Sequence, residues 1–213
     1  MISFGGFSKV KRLLCVGAHS DDIEIGAGAT VLRIIRENPD VSVTWCVLSG
    51  NDIRHDEARR GANHILGPQG DPALVLQGFT DSRFPEERQK IKQFFEQNLK
   101  PVNPDLILTH SKTDAHQDHR MVNELTWNTF RSHQIWEYEI PKWDGDLMPP
   151  NLYVPVDPQD VARKITVLRE VFASQRSKHW FDEETFRGLM RIRGLESNTR
   201  YAESFFARKF VVA

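Results

Sequence analysis

Cysteine is nearly absent, with two residues in 213, Cys15 and Cys46, both inside apolar runs. That excludes a disulfide framework, since free cysteines in such runs act as small buried hydrophobes. Long hydrophobic stretches are missing too, and nothing approaches the roughly 18 apolar residues of a membrane span. Behind Lys9, Lys11 and Arg12 the apolar stretch is short and runs into His-Ser-Asp-Asp, the shape of a first core strand and unlike a secretory signal. A cytoplasmic protein is expected. Charge of one sign is also lacking: 28 Lys and Arg face 29 Asp and Glu, a net charge of −1, which leaves no basic excess for nucleic-acid phosphates. No Gly-x-Ser-x-Gly occurs, so the nucleophile elbow of a serine hydrolase is absent. Nor does any repeat, low-complexity tract or long linker divide the chain.

What is present is a globular balance, 27% charged and 39% hydrophobic, in a chain of a size suited to one core, so a single domain over 1–213 is expected. Continuous apolar runs alternate with amphipathic stretches. That rhythm predicts strands buried on both faces of a mostly parallel sheet, with helices outside them. Strands are expected at Arg12–Ala18, Val41–Gly50, Ala73–Phe79 and Asp105–His110. Helices are expected at 23–37, 85–99 and 119–130, and Asp52 opens a polar segment closed by Gly67-Pro68. Later the rhythm changes to two strand-like runs, IWEYEI and NLYVPV, around the loop PKWDGDLMPPN. Helices at 158–173 and 182–193 and a last strand, FFARKFVV, complete the expected chain. The fold class is a Rossmann-like three-layer α/β sandwich with a C-terminal αβ extension.

Two segments, His19-Ser20-Asp21-Asp22 and His116-Gln117-Asp118-His119, place metal-competent residues after strands one and four. Open α/β sheets hold their ligands at the carboxyl ends of strands, where the strand order switches direction. If strands one and four are neighbours, the two clusters face one another as one site. Two imidazoles and one carboxylate there would suit zinc with an open position for water, and the same donor set also holds iron(II). Helix capping would explain any one of these carboxylates, but it accounts poorly for two clusters of this form. Cys15 is a weaker metal-ligand candidate, because it sits mid-strand. His55, His64, His133 and His179 are scattered and receive no role.

The sequences GAHSDDIEIGAGAT and THSKTDAHQDHR together resemble the signatures of the LmbE/PIG-L family of zinc-dependent N-acetylglucosaminyl deacetylases. IRHDEARRGANHILG, LQGFTDSRFP and RYAESF resemble the family's intervening and closing segments. Ser20 departs from the family's usual Pro or Ala, at a position that supplies no ligand. The resemblance implies His19, Asp22 and His119 as zinc ligands and Asp21 as the general base for the attacking water. It implies His116 as a protonated imidazole that stabilises the oxyanion or donates to the leaving nitrogen. Asp118 would orient either His116 or a ligand histidine. Activity would then rise as Asp21 ionises and fall as His116 loses its proton.

Arg54 and Asp81 match family positions near the mouth of the site, implying contacts to substrate hydroxyls or an anionic group. The plainer reading pairs Arg54 with Glu57 or Asp56 on a helix face. Trp136, Tyr138 and Trp143 flank the Pro/Gly/Asp loop, where they serve either to stack on sugar rings or to pack beneath the loop. Tyr201 and Glu203 match the closing segment without a derivable role. The implied partner is a small amino-sugar substrate, with no nucleic acid or membrane span, and a homo-oligomer is compatible with the sequence. Two other readings remain: a nucleotide-dependent enzyme using Gly26-Ala27-Gly28, and a non-catalytic sugar-binding module.

Overall fold

The computed structural model describes residues 6–67, 73–147 and 149–210. Seven strands form one sheet: β1 (Arg12–Gly17), β2 (Ser42–Ser49), β3 (Ala73–Phe79), β4 (Leu106–His110), β5 (Gln134–Tyr138), β6 (Leu152–Pro155) and β7 (Ala202–Phe206). Their order is β3-β2-β1-β4-β5-β7-β6. The first five run parallel, while β7 is antiparallel to both β5 and β6. The chain builds outward from β1 in one direction and, from β4, in the other. The β1–β4 boundary is therefore the switch point.

Alternating side chains of the continuous apolar strands feed two cores. Leu13, Cys15, Trp45 and Leu108 pack under α1 (Asp22–Glu37), α2 (Asp52–Leu66), α5 (Pro158–Val171) and α6 (Glu183–Glu196). Leu14, Val16, Cys46 and Ile107 pack under α3 (Phe84–Phe94) and α4 (Gln117–Thr129). This is the expected three-layer architecture. Cys15 and Cys46 fall on opposite faces and cannot pair. Burial first, then the charge of Glu24, pushes the Cys15 thiol far above its ordinary range, so it offers no thiolate to a metal.

Local chemistry moves several boundaries. α4 starts at Gln117 because the His116 ring caps it, accepting the Asp118 amide at 3.2 Å. Ahead of Pro101 the α3 ladder widens into a π-type turn over Phe95–Leu99, so the helix is shorter than its periodicity suggests. The last strand is Ala202–Phe206 instead of FFARKFVV. It ends where Arg208 turns back to Glu137, 2.6 Å away, and residues 211 and 212 of the expected run lie outside the described residues. The Gly-rich fragment proves to be a packing device. A Cβ on Gly26 would stand 2.2 Å from the Tyr138 ring, so the glycine lets α1 lie against β5 and cradles no phosphate.

One buried pair reaches into α1 from the far end of the sheet. Glu203 on β7 accepts the amides of Ala29 (3.0 Å) and Thr30 (2.6 Å), while Lys164 on α5 donates to Glu203 (2.7 Å) and to the Ile25 carbonyl (2.5 Å). In an uninterrupted helix the Ile25 carbonyl and the Ala29 amide pair with each other. Here two side chains engage both, which gives Glu203 a structural place that the sequence alone left open.

Candidate active site

The two clusters meet over the β1–β4 boundary. β1 leads to His19 and on through Asp21 into Asp22, the first residue of α1, while the segment after β4 delivers His116 and the first turn of α4 delivers Asp118 and His119. His19 Nδ1 lies 3.1 Å from His119 Nε2 and 3.4 Å from Asp22 Oδ2. His119 Nε2 lies 3.5 Å from Asp22 Oδ1. The three residues thus form a triangle in which each imidazole nitrogen is nearest to a different oxygen of Asp22. Ligands at zinc's usual N/O distances stand roughly 3.3 Å apart in a tetrahedral site, and the separation of the two nitrogens and of each from Asp22 is of that size.

Surrounding carboxylates orient the two rings. His119 faces Asp114 Oδ2 through Nδ1 at 2.9 Å, which assigns the proton to Nδ1 and leaves the Nε2 lone pair pointing inward. His19 meets Asp81 (3.1 Å) and Asp118 (3.3 Å) through Nε2, turning Nδ1 toward the triangle. Burial alone would lower the His19 pKa. The charge of Asp22 and the hydrogen bonds of Asp118, Asp22 and Asp81 outweigh it, so its pKa stands well above the ordinary imidazole value. The same balance acts in reverse on Asp22, whose burial is outweighed by His119, His110 and His19, and its carboxyl is held well below its usual range. The surroundings favour positive charge at this point.

Asp118 answers the alternative left open by the sequence. Its carboxylate accepts the amides of Ser82 (2.7 Å) and Phe84 (3.1 Å) and contacts His19. It therefore orients a ring of the triangle, and the carboxylate is not hydrogen-bonded to His116. The expectation of a protonated His116 is corrected. Its Nδ1 accepts the Asp118 amide and so carries no proton, and burial, followed by the charges of His119 and His19, pulls its pKa below the usual imidazole value. A neutral ring with its proton on Nε2 remains a hydrogen-bond donor.

Arg54 lines the cavity, and its guanidinium is also engaged within the chain. Its guanidinium donates to Asp21 Oδ1 (2.5 Å), Glu57 Oε2 (2.9 Å) and Ser174 Oγ (3.1 Å). Pairing with Glu57 is the plainer reading of this residue; the tie to Asp21 across 33 residues is new. Asp21 itself makes no side-chain cap to α1. Asp81 stays at the mouth with its side chain 71% exposed.

Three residues of the arrangement were not singled out in the sequence. His110, at the end of β4, stacks on His119 with centroids 3.9 Å apart, and its Nε2 lies 3.1 Å from Asp22 Oδ2. Asp114 and Lys142 form the support behind His119. The position of His110 on the carboxyl end of a strand was a usable signal; Lys142 lies in a loop and carried none.

His19, Asp21, Asp22, Arg54, Asp81, His116 and His119 line a cavity of about 520 Å³, together with Lys142, Trp143, Lys178 and Trp180. Of the three aromatic candidates, Tyr138 is fully buried with its hydroxyl on the Val16 carbonyl (2.7 Å), and Trp136 packs against Phe7 and Phe205. Only Trp143 reaches the cavity.

Residues 14–130, more than half of the chain, match the family model described as PIG-L, GlcNAc-PI de-N-acetylase. The chain is 31% identical over 153 residues to a protein of Escherichia coli K12 described as uncharacterized deacetylase YaiS, covering 67% of this chain and 80% of that one. Among solved structures, N,N'-diacetylchitobiose deacetylase from Pyrococcus horikoshii superposes with a TM-score of 0.73 at 19% identity, covering 94% of this chain and 85% of that one. The 4-carboxy-2-hydroxymuconate hydratase GalB of Pseudomonas putida KT2440 gives a TM-score of 0.71 at 16% identity, with coverage of 95% and 98%. The fold alone is thus shared between deacetylation and hydration. No helix among the described residues is long and apolar enough to cross a membrane.

Proposed function

The chain belongs to the PIG-L, GlcNAc-PI de-N-acetylase, family, and from that premise we propose a metal-dependent hydrolase that removes the acetyl group from an amino sugar, releasing acetate and a free amine. The observation that carries the reading is the inward-facing triangle of His19, Asp22 and His119, with Asp21 on the wall of the same cavity. Zinc suits two imidazoles and a carboxylate, and iron(II) is another ion such a set accepts. When bound, the ion supplies Lewis acidity, polarising the amide carbonyl and easing deprotonation of a water.

The remaining chemistry belongs to the chain. Asp21, held by Arg54, takes a proton from the attacking water as oxygen bonds to the amide carbon. It then returns that proton to nitrogen as the carbon–nitrogen bond breaks. His116 donates from Nε2 to the carbonyl oxygen as negative charge gathers there, a role a neutral imidazole fulfils. Asp118 and Asp81 hold His19, and Asp114 holds His119.

The test combines metal content with amine release. Wild-type protein purified without chelator should hold about one ion per chain, His119→Ala should hold none, and N-acetylglucosamine glycosides should yield free amine. Asp21→Asn should keep the ion and lose roughly 10²–10⁴-fold in kcat. Metal-free wild type that stays so after reconstitution, or turnover indifferent to Asp21, would overturn the reading.

A further inference from the structure

The rim of the cavity carries an indole that is exposed and firmly held at once. Trp143 is 63% exposed, which rules out packing beneath the loop as its purpose. Its ring lies nearly parallel to His179, with centroids 5.8 Å apart and 17° between planes, and meets Trp180 edge-on at 6.0 Å. Trp180 is itself braced against Phe181, and the Lys178 ammonium lies 5.6 Å from the Trp180 ring centre.

The segment beneath Trp143 is pinned to the metal-binding end of the sheet. Lys142 Nζ reaches Asp146 (2.6 Å), Asp114 (3.0 Å) and Asp144 (3.6 Å), and Asp146 accepts the Ala115 amide at 2.6 Å. Asp114 is the carboxylate that orients His119. One short segment thus joins an open aromatic face to the support of the reacting centre. An apolar face left in water gains binding energy in proportion to the area that a ligand covers. Rigid, preformed aromatic faces of this kind convert that area into affinity at little ordering cost.

A cavity of about 520 Å³ has room for more than one ring. We propose that Trp143, backed by His179 and Trp180, is the stacking platform for the ring attached to the acetylated sugar. The substrate is then a glycoside whose second unit presents a flat apolar face, either a pyranose or an aryl group. The inference rests on the amino-sugar reading above and adds the class of the neighbouring unit. Stacking selects that unit by shape and face, because the rim offers carboxylate and ammonium groups of both signs, Asp81 and Asp144 with Lys178.

Binding and turnover together test it on the zinc-loaded protein, with N-acetylglucosamine, N,N'-diacetylchitobiose and phenyl N-acetylglucosaminide as probes. Calorimetry should show one or both two-ring ligands bound about tenfold more tightly than the monosaccharide, a gain typical of one good aromatic contact. Trp143→Ala should bring that ratio close to one and Trp143→Phe should keep most of it, with unchanged thermal melting as the check on folding. Chitobiose favoured over the phenyl glycoside identifies a pyranose unit, and the reverse an aryl unit. Equal affinities in wild type, no binding of any probe, or a ratio indifferent to Trp143 overturns the platform. Trp143-dependent binding without amine release keeps the platform and sinks the deacetylase reading, whereas amine release without Trp143 dependence does the opposite.

Discussion

Asp114 and His119 stand 2.9 Å apart, carboxylate oxygen to Nδ1, and the other oxygen of Asp114 is held at 3.0 Å by Lys142. Burial pushes the Asp114 carboxyl up, but the hydrogen bond and charge of His119, with His110 and Lys142, hold it well below its usual range. Asp114 is therefore ionised and fixes the His119 proton on Nδ1. Asp114→Asn can present a donor to that nitrogen and stabilise the wrong tautomer. We expect metal affinity to fall about 10- to 100-fold, read by competition against a chromophoric chelator. An unchanged affinity would remove Asp114 from the support of the site.

Arg54 bridges Asp21 and Glu57, so its loss should be felt in the chemistry before the binding. Arg54→Lys keeps the charge but not the fork that reaches both carboxylates. Displacing a reacting group by about 1 Å can cost up to ~10²-fold, and kcat should fall within that range with metal content and KM little changed. A raised KM with kcat intact would instead make Arg54 a substrate contact.

The Lys164–Glu203 pair predicts a stability effect far from the cavity. Glu203→Ala leaves a buried ammonium and the amides of Ala29 and Thr30 without their partner. Breaking such a pair costs about 3–5 kcal/mol, readable in urea unfolding. The double change Lys164→Met with Glu203→Leu should recover part of it, because no charge is then stranded. Equal losses in single and double variants would deny the coupling.

Asp105 ties the start of β1 to β4, accepting the amides of Lys11 (2.9 Å) and Arg12 (2.8 Å). What burial it has raises its pKa, but those amides and the Arg12 charge outweigh it, and the carboxyl is held below its usual value. Folding thus favours the ionised form. The stabilisation is complete above the unfolded-state pKa near 4 and is lost as pH falls through the lower folded value. Asp105→Asn should be less stable by about 0.5–1 kcal/mol at pH 7, a small figure because solvent screens the group. The gap should close in strongly acidic urea titrations; a gap of constant size would point to packing.

The parallel strands, and the meeting of the two clusters if strands one and four are neighbours, were legible in the sequence, because continuous apolar runs separated by amphipathic stretches specify a parallel sheet; the place of β7 between β5 and β6 was not. Trp136, Tyr138 and Trp143 were not separable, since identical aromatic signals precede opposite fates and only the path of the loop decides burial. The neutral state of His116 was hidden for a similar reason. Its ring caps α4, and the sequence shows a histidine near a helix start without showing which nitrogen faces the amide. Arg54 was visible as a helix-face cation, but its contact with Asp21 depends on how α2 packs against α1, whose N-cap is Asp21.

The engagement of Glu203 with α1 also bears on biosynthesis. The helix that opens with Asp22 receives its side-chain acceptor from a residue 174 positions after Ala29. A ribosome will have added 174 residues beyond Ala29 before that helix can seat its final partner, and β7 must also slot between β5 and β6. The helix that carries Asp22 is therefore synthesised well before it becomes structurally complete.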